Sequence, residues 1–76
     1  MKKVKLGVVG CGIMGKTHTA AGVNCPSATV VAVADINEAA AKNVAKQFNI
    51  NKYYTDVEKI LKDKEVEALI FALGSK

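Results

Sequence analysis

Gly10-x-Gly12-x-x-Gly15 is the segment of this sequence best suited to chemistry. Glycines at this spacing let a chain turn sharply out of a strand and bring its backbone against a pyrophosphate. They also let the helix that follows pack close to the sheet. Gly10 suits the turn, Gly12 the approach to phosphate and Gly15 the helix packing, with the anion at the positive end of that helix. Asp35 stands about 20 residues beyond Gly15, at the end of a second apolar run. A carboxylate there can accept hydrogen bonds from ribose hydroxyls, and its charge repels a 2′-phosphate. The four residues together predict a site for NAD, with NADP disfavoured by Asp35.

The same segment spells Gly10-x-x-x-x-Gly15-Lys16-Thr17, the pattern of a phosphate loop in nucleotide triphosphatases. Residues 30–35 even supply an apolar strand ending in an aspartate that could assist magnesium. The two readings place different demands on the backbone. A phosphate loop wraps residues 11–14 around a β-phosphate, with Lys16 on the terminal phosphates and Thr17 on the metal. A dinucleotide site needs the helix to be running by Ile13, which moves Lys16 and Thr17 away from the pyrophosphate. A third possibility is a non-catalytic nucleotide-binding or assembly module.

No residue is nominated as catalytic or as a metal ligand. His18 has no second base or ligand beside it and reads as structural, because general acid–base work needs a positioned partner. Cys11 reads as a small spacer in the glycine turn, since no histidine accompanies it. Asp56, Glu58, Asp63, Glu65 and Glu67 read as helix caps and solvated charges.

The elements that must position the glycine loop are legible in the apolar pattern. Val4–Val9 is a buried strand, and a helix is expected over 12–24, ended by Pro26. A second strand covers 29–34. Asn37 can cap the next helix, whose apolar face is Ala41, Val44, Ala45 and Phe48, with Lys42, Lys46 and Gln47 in solvent. Lys52-Tyr53-Tyr54 is a short third strand. Thr55-Asp56-Val57-Glu58 reads as a capping box for a brief helix that turns Val57, Ile60 and Leu61 inward. Ala68-Leu69-Ile70-Phe71-Ala72-Leu73 is the fourth strand. Continuous apolar strands alternating with helices predict an α/β fold, with a parallel sheet covered on both faces and strand order 3-2-1-4.

The 76 residues are 50% hydrophobic and 24% charged, ordinary globular values that argue against intrinsic disorder. The net charge of +4 comes from scattered lysines without interleaved aromatics, so no nucleic-acid surface is expected. No stretch approaches the ~20 apolar residues of a membrane span. Lys2, Lys3 and Lys5 before Cys11 imitate a lipoprotein signal, but the apolar stretch is too short and Lys16 cuts it off. Cys11 and Cys25, at opposite ends of the first helix, would be about 15–20 Å apart at ~1.5 Å per residue, too far to bridge. Reduced thiols in the cytoplasm are the expectation.

The ordered set of the glycine loop, the helix with His18, Val31-Ala32-Val33-Ala34-Asp35 and Tyr54-Thr55-Asp56 resembles the N-terminal domain of the glucose-fructose oxidoreductase/inositol dehydrogenase (Gfo/Idh/MocA) family. The resemblance implies that Gly10, Gly12, Ile13, Met14, Gly15 and Asp35 contact NAD. It also implies a following domain that binds a sugar or cyclitol and a catalytic lysine beyond Lys76. Residues 1–76 are then a partial dinucleotide-binding domain, expected to bind cofactor without turnover. Where the family commonly carries Thr/Ser-Pro after the fourth strand, this sequence has Leu73-Gly74.

In the expected strand order the fourth strand lies at an edge with no charge and no proline to protect it. A chain this small buries only ~60% of its unfolded surface. Self-association through that edge, two fourth strands pairing about a two-fold axis into a homodimer or larger assembly, is therefore expected.

Overall fold

The apolar runs become strands and the segments between them helices. Their order is β1 (Val4–Val9), α1 (Ile13–Asn24), β2 (Ala28–Ala34), α2 (Glu38–Gln47), β3 (Lys52–Tyr54), α3 (Val57–Leu61) and β4 (Ala68–Phe71). This is the arrangement in a computed structural model that describes residues 3–10 and 13–72. The strands form one parallel sheet in the order β3-β2-β1-β4. The fold is the α/β, doubly wound type expected, with a core on each face of the sheet.

One core joins Val8, Val30 and Val33 of the sheet to Ala41, Val44 and Ala45 of α2 and to Ile50 beyond it. The other joins Val9, Ala32 and Ala34 to Ile60 of α3, with Leu69, Val57 and Val66 packed around them. Strict alternation would separate Val30 from Val33. A register shift reconciles them: Leu6 pairs with Val30 but Gly7 with Ala32, so Val31 is an extra residue in β2. Val31 and Ala32 then both pack into the α3-side core.

Helix α2 starts and stops on named side chains. Asn37 accepts from the Ala40 N–H at 3.2 Å. At the other end Asn49 takes φ 61°, the Ile50 N–H donates to Ala45 O at 2.7 Å and the Asn49 N–H to Lys46 O at 3.4 Å. That is a Schellman ending with asparagine in the place glycine usually takes, and it drops Ile50 into the core beside Ala45.

Three expectations need correction. The cap of α3 is Asp56, not Thr55: its carboxylate accepts from the Glu58 N–H at 2.9 Å. Leu61 is 56% exposed, because a five-residue helix turns only Ile60 and part of Val57 onto the sheet. Asp63 is not a solvated charge; its side chain is 7% exposed and ion-paired. Among the described residues β4 pairs only with β1, and Phe71 is 55% exposed. Leu73 and Gly74 lie outside the described residues. Among those described, no helix is long and apolar enough to cross a membrane.

Candidate cofactor site

β1 delivers the glycine turn to the carboxyl end of the sheet. Gly10 has φ 99°, a conformation that L side chains rarely adopt, and its N–H donates to Ala34 O at 2.7 Å. That bond ties the exit of β1 to the exit of β2. Cys11 and Gly12 lie outside the described residues. The backbone is helical from Ile13, so Ile13, Met14 and Gly15 occupy the start of α1 and Lys16 and Thr17 follow within it. A helix already running at Ile13 is the condition for a dinucleotide site, and it does not leave residues 13 and 14 in a phosphate loop.

β2 delivers Asp35 to the same end. The Asp35 N–H donates to Tyr54 O at 3.0 Å, which extends the sheet by one rung towards β3. Its Oδ1 accepts from the Asn37 N–H at 2.8 Å. Val9, Gly10, Asp35, Ile36 and Val57 together line a cleft of about 140 Å³. Gly10 and Asp35, far apart in sequence, thus face one space.

Two lining residues are not evident as such from the sequence. Ile36 is 87% exposed, and Val57, expected to face the core, also borders the cleft. Their signal is positional: each lies within three residues of the carboxyl end of a strand of a parallel sheet, where such folds bind ligands. The cleft offers a flat apolar ring two walls, Ile36 and Val57, with a carboxylate and a glycine turn at its rim.

The second polar cluster lies towards the other end of the strands. Lys52 Nζ is 2.7 Å from Asp63 Oδ2 and 2.6 Å from Glu65 Oε1, and the Tyr54 hydroxyl donates to Asp63 Oδ2 at 2.7 Å. The hydrogen bonds from Lys52, then from Tyr54, then from the Glu65 N–H hold the Asp63 carboxyl at about 2. The bonds of Lys52 to the Asp63 and then the Glu65 carboxylate raise Lys52, and the bond to Asp63 with partial burial raises Tyr54. Lys52 and Glu65, with Thr29, Asn49 and Asn51, line a polar cavity of about 230 Å³. One ammonium is shared by two carboxylates in this cluster. Among the described residues no group of three or more His, Cys, Asp or Glu side chains could hold a metal ion.

Residues 4–76 match the GFO_IDH_MocA family, described as an oxidoreductase family with an NAD-binding Rossmann fold. The chain belongs to that family. It is 40% identical over 68 residues to inositol 2-dehydrogenase/D-chiro-inositol 3-dehydrogenase of Lacticaseibacillus casei, a match covering 87% of this chain and 20% of that protein. Its fold superposes on myo-inositol dehydrogenase from Lactobacillus casei, solved in complex with NAD(H) and myo-inositol. The TM-score there is 0.85 at 37% identity, over 91% of this chain and 21% of the other. The scyllo-inositol dehydrogenase of Lactobacillus casei shares the fold alone, with a TM-score of 0.88 at 21% identity over 97% of this chain and 22% of that one. The chain spans about a fifth of the length of these relatives. It is an NAD-binding Rossmann domain of this family.

Proposed function

We propose that the cleft at the carboxyl end of the sheet takes the adenosine half of NAD. The pyrophosphate lies on the glycine turn and the start of α1, at Gly10, Gly12, Ile13, Met14 and Gly15. The observation that carries this reading is the convergence of Gly10 and Asp35 on one cleft. Asp35 accepts from the adenosine ribose hydroxyls, and its charge disfavours the 2′-phosphate of NADP. The adenine ring stacks between Ile36 and Val57. Bound NAD supplies the hydride acceptor, while this chain's residues bind and orient it. The likeness to inositol dehydrogenases supports a cyclitol or sugar alcohol as the substrate class of the enzyme to which this domain contributes.

Fluorescence titration with NADH tests the site. Saturable binding is expected, weakened about tenfold or more by Asp35→Ala and shifted by it towards NADPH, from the loss of charge-assisted hydrogen bonds. Absence of binding at millimolar NADH would overturn the assignment.

The edge of the sheet supports a second element of the reading. β4 is uncharged, pairs on one side only among the described residues and leaves Phe71 exposed. Two copies pair through it about a two-fold axis, in the reducing cytoplasm that suits the exposed, free Cys25. Sedimentation at micromolar concentration is expected to give a dimer or larger species, and Ile70→Lys to dissociate it. A well-dispersed monomer of the unaltered chain would exclude it.

A further inference from the structure

We infer that Asn37 is a positioning residue for the cofactor: it fixes the turn that aims the Asp35 carboxylate and holds Ile36 out in solvent. The inference rests on the cofactor reading above. Ile36, 87% exposed, sits between the acid and the helix cap, and the backbone on either side of it is fixed. Four bonds fix the backbone around it. The Asp35 N–H is anchored to Tyr54 O at 3.0 Å before the turn. Across the turn, the Asn37 N–H donates to Asp35 Oδ1 at 2.8 Å. After it, Asn37 Oδ1 accepts from the Ala40 N–H at 3.2 Å, while the Ala41 N–H donates to Asn37 O at 3.1 Å.

The side chain of Asn37 is therefore the link between helix α2 and the acid. By capping the helix it holds its own backbone at φ −86° and ψ 107°, and that conformation directs its N–H back to Asp35. An ionised carboxylate has about four acceptor positions, and the amide bond from Asn37 occupies one of them and helps to orient the group. A carboxylate oriented before the ligand arrives avoids the ordering cost that binding otherwise carries. Fixing its charge also fixes the point at which a 2′-phosphate is repelled. Asn37 thereby governs both affinity for NADH and discrimination against NADPH, without touching either.

Serine and glycine at this position separate cap strength from backbone fixing. Serine caps as asparagine does, whereas glycine costs the helix only a few tenths of a kcal/mol yet leaves the backbone free. NADH and NADPH are titrated against the unaltered chain, Asn37→Ser and Asn37→Gly, with thermal melts on each. Asn37→Ser is expected to keep both the NADH affinity and the NADH/NADPH preference. Asn37→Gly is expected to lose about three- to tenfold in NADH affinity and to narrow the preference, at a melting temperature close to that of the unaltered chain. An unchanged preference in Asn37→Gly, or an equal loss in Asn37→Ser, overturns the role of Asn37 alone. Failure of the unaltered chain to bind NADH overturns the cofactor reading itself.

Discussion

Asp35 and Asp63 serve opposite ends of the same sheet, and their surroundings differ in kind. Asp63 accepts from Lys52, from Tyr54 and from the Glu65 N–H, and its side chain is nearly buried. Every neighbour of that carboxylate belongs to the protein, so its charge is spent on tying the segment after α3 to β3. Asp35 accepts from the Asn37 N–H and borders a cleft with an exposed isoleucine and a glycine turn. One carboxylate holds structure together; the other is presented. The difference teaches that a carboxylate's role is set by what lies across from it, not by its place in a list of acids.

Exchanging the two losses breaks the comparison most directly. Asp35→Asn is expected to weaken NADH binding by about ten- to a hundredfold, the worth of charge-assisted hydrogen bonds, and to leave the melting temperature nearly unchanged. Asp63→Asn is expected to do the reverse, lowering the melting temperature while NADH affinity stays near that of the unaltered chain. NADH titrations and thermal melts on both variants check this, and a large loss of affinity in Asp63→Asn would show that the two ends are coupled.

The glycines divide in the same way. A methyl added at Gly7 would meet Leu69 Cδ2 at 2.9 Å, Ile60 Cδ1 at 3.0 Å and Val66 Cγ1 at 3.1 Å. Gly7→Ala is expected to cost about 1–3 kcal/mol of stability by overpacking. Gly10→Ala is expected to cost about 1–2 kcal/mol through its positive φ, and to impair NADH binding as well. Denaturant melts alongside NADH titration separate a packing glycine from a turn glycine.

Acid sharpens the contrast more gently. The Asp63 carboxyl sits at about 2 in the folded chain against an ordinary 3.8. A depressed carboxyl stabilises the fold above its ordinary value, and the contribution is lost as pH falls from about 4 through about 2. Melts across that interval should show the unaltered chain losing stability more steeply than Asp63→Asn. Equal slopes would mean that the ion pair contributes nothing to the fold.

Much of the fold was readable from residues alone because its determinants are local. β1 falls at the expected position because a β-branched, apolar run ending in glycine has few other uses, and β3 because two tyrosines bounded by Asn51 and Thr55 suit a short strand. Asn37 caps α2 as expected, because the cap is a contact between residues three apart. The approach of Gly10 to the exit of β2 followed from the glycine spacing and the acid about 20 residues beyond it. These are consequences of backbone conformation and short-range bonding, which the sequence determines by itself.

Only the tertiary structure decided the rest. The bulge at Val31 exists because two cores, one on each face, must both be filled from one strand. Among the described residues α1 comes close to β2 at Gly22, where an added methyl would meet Val30 Cγ2 at 2.8 Å, a contact that nothing in the local sequence announces. Lys52 found Asp63 and Glu65 across an intervening helix, and Ile36 met Val57 across the cleft. Each joins residues brought together by the docking of separate elements. Whether a charge is buried or an isoleucine exposed depends on what packs against it, and a linear order of residues does not contain that.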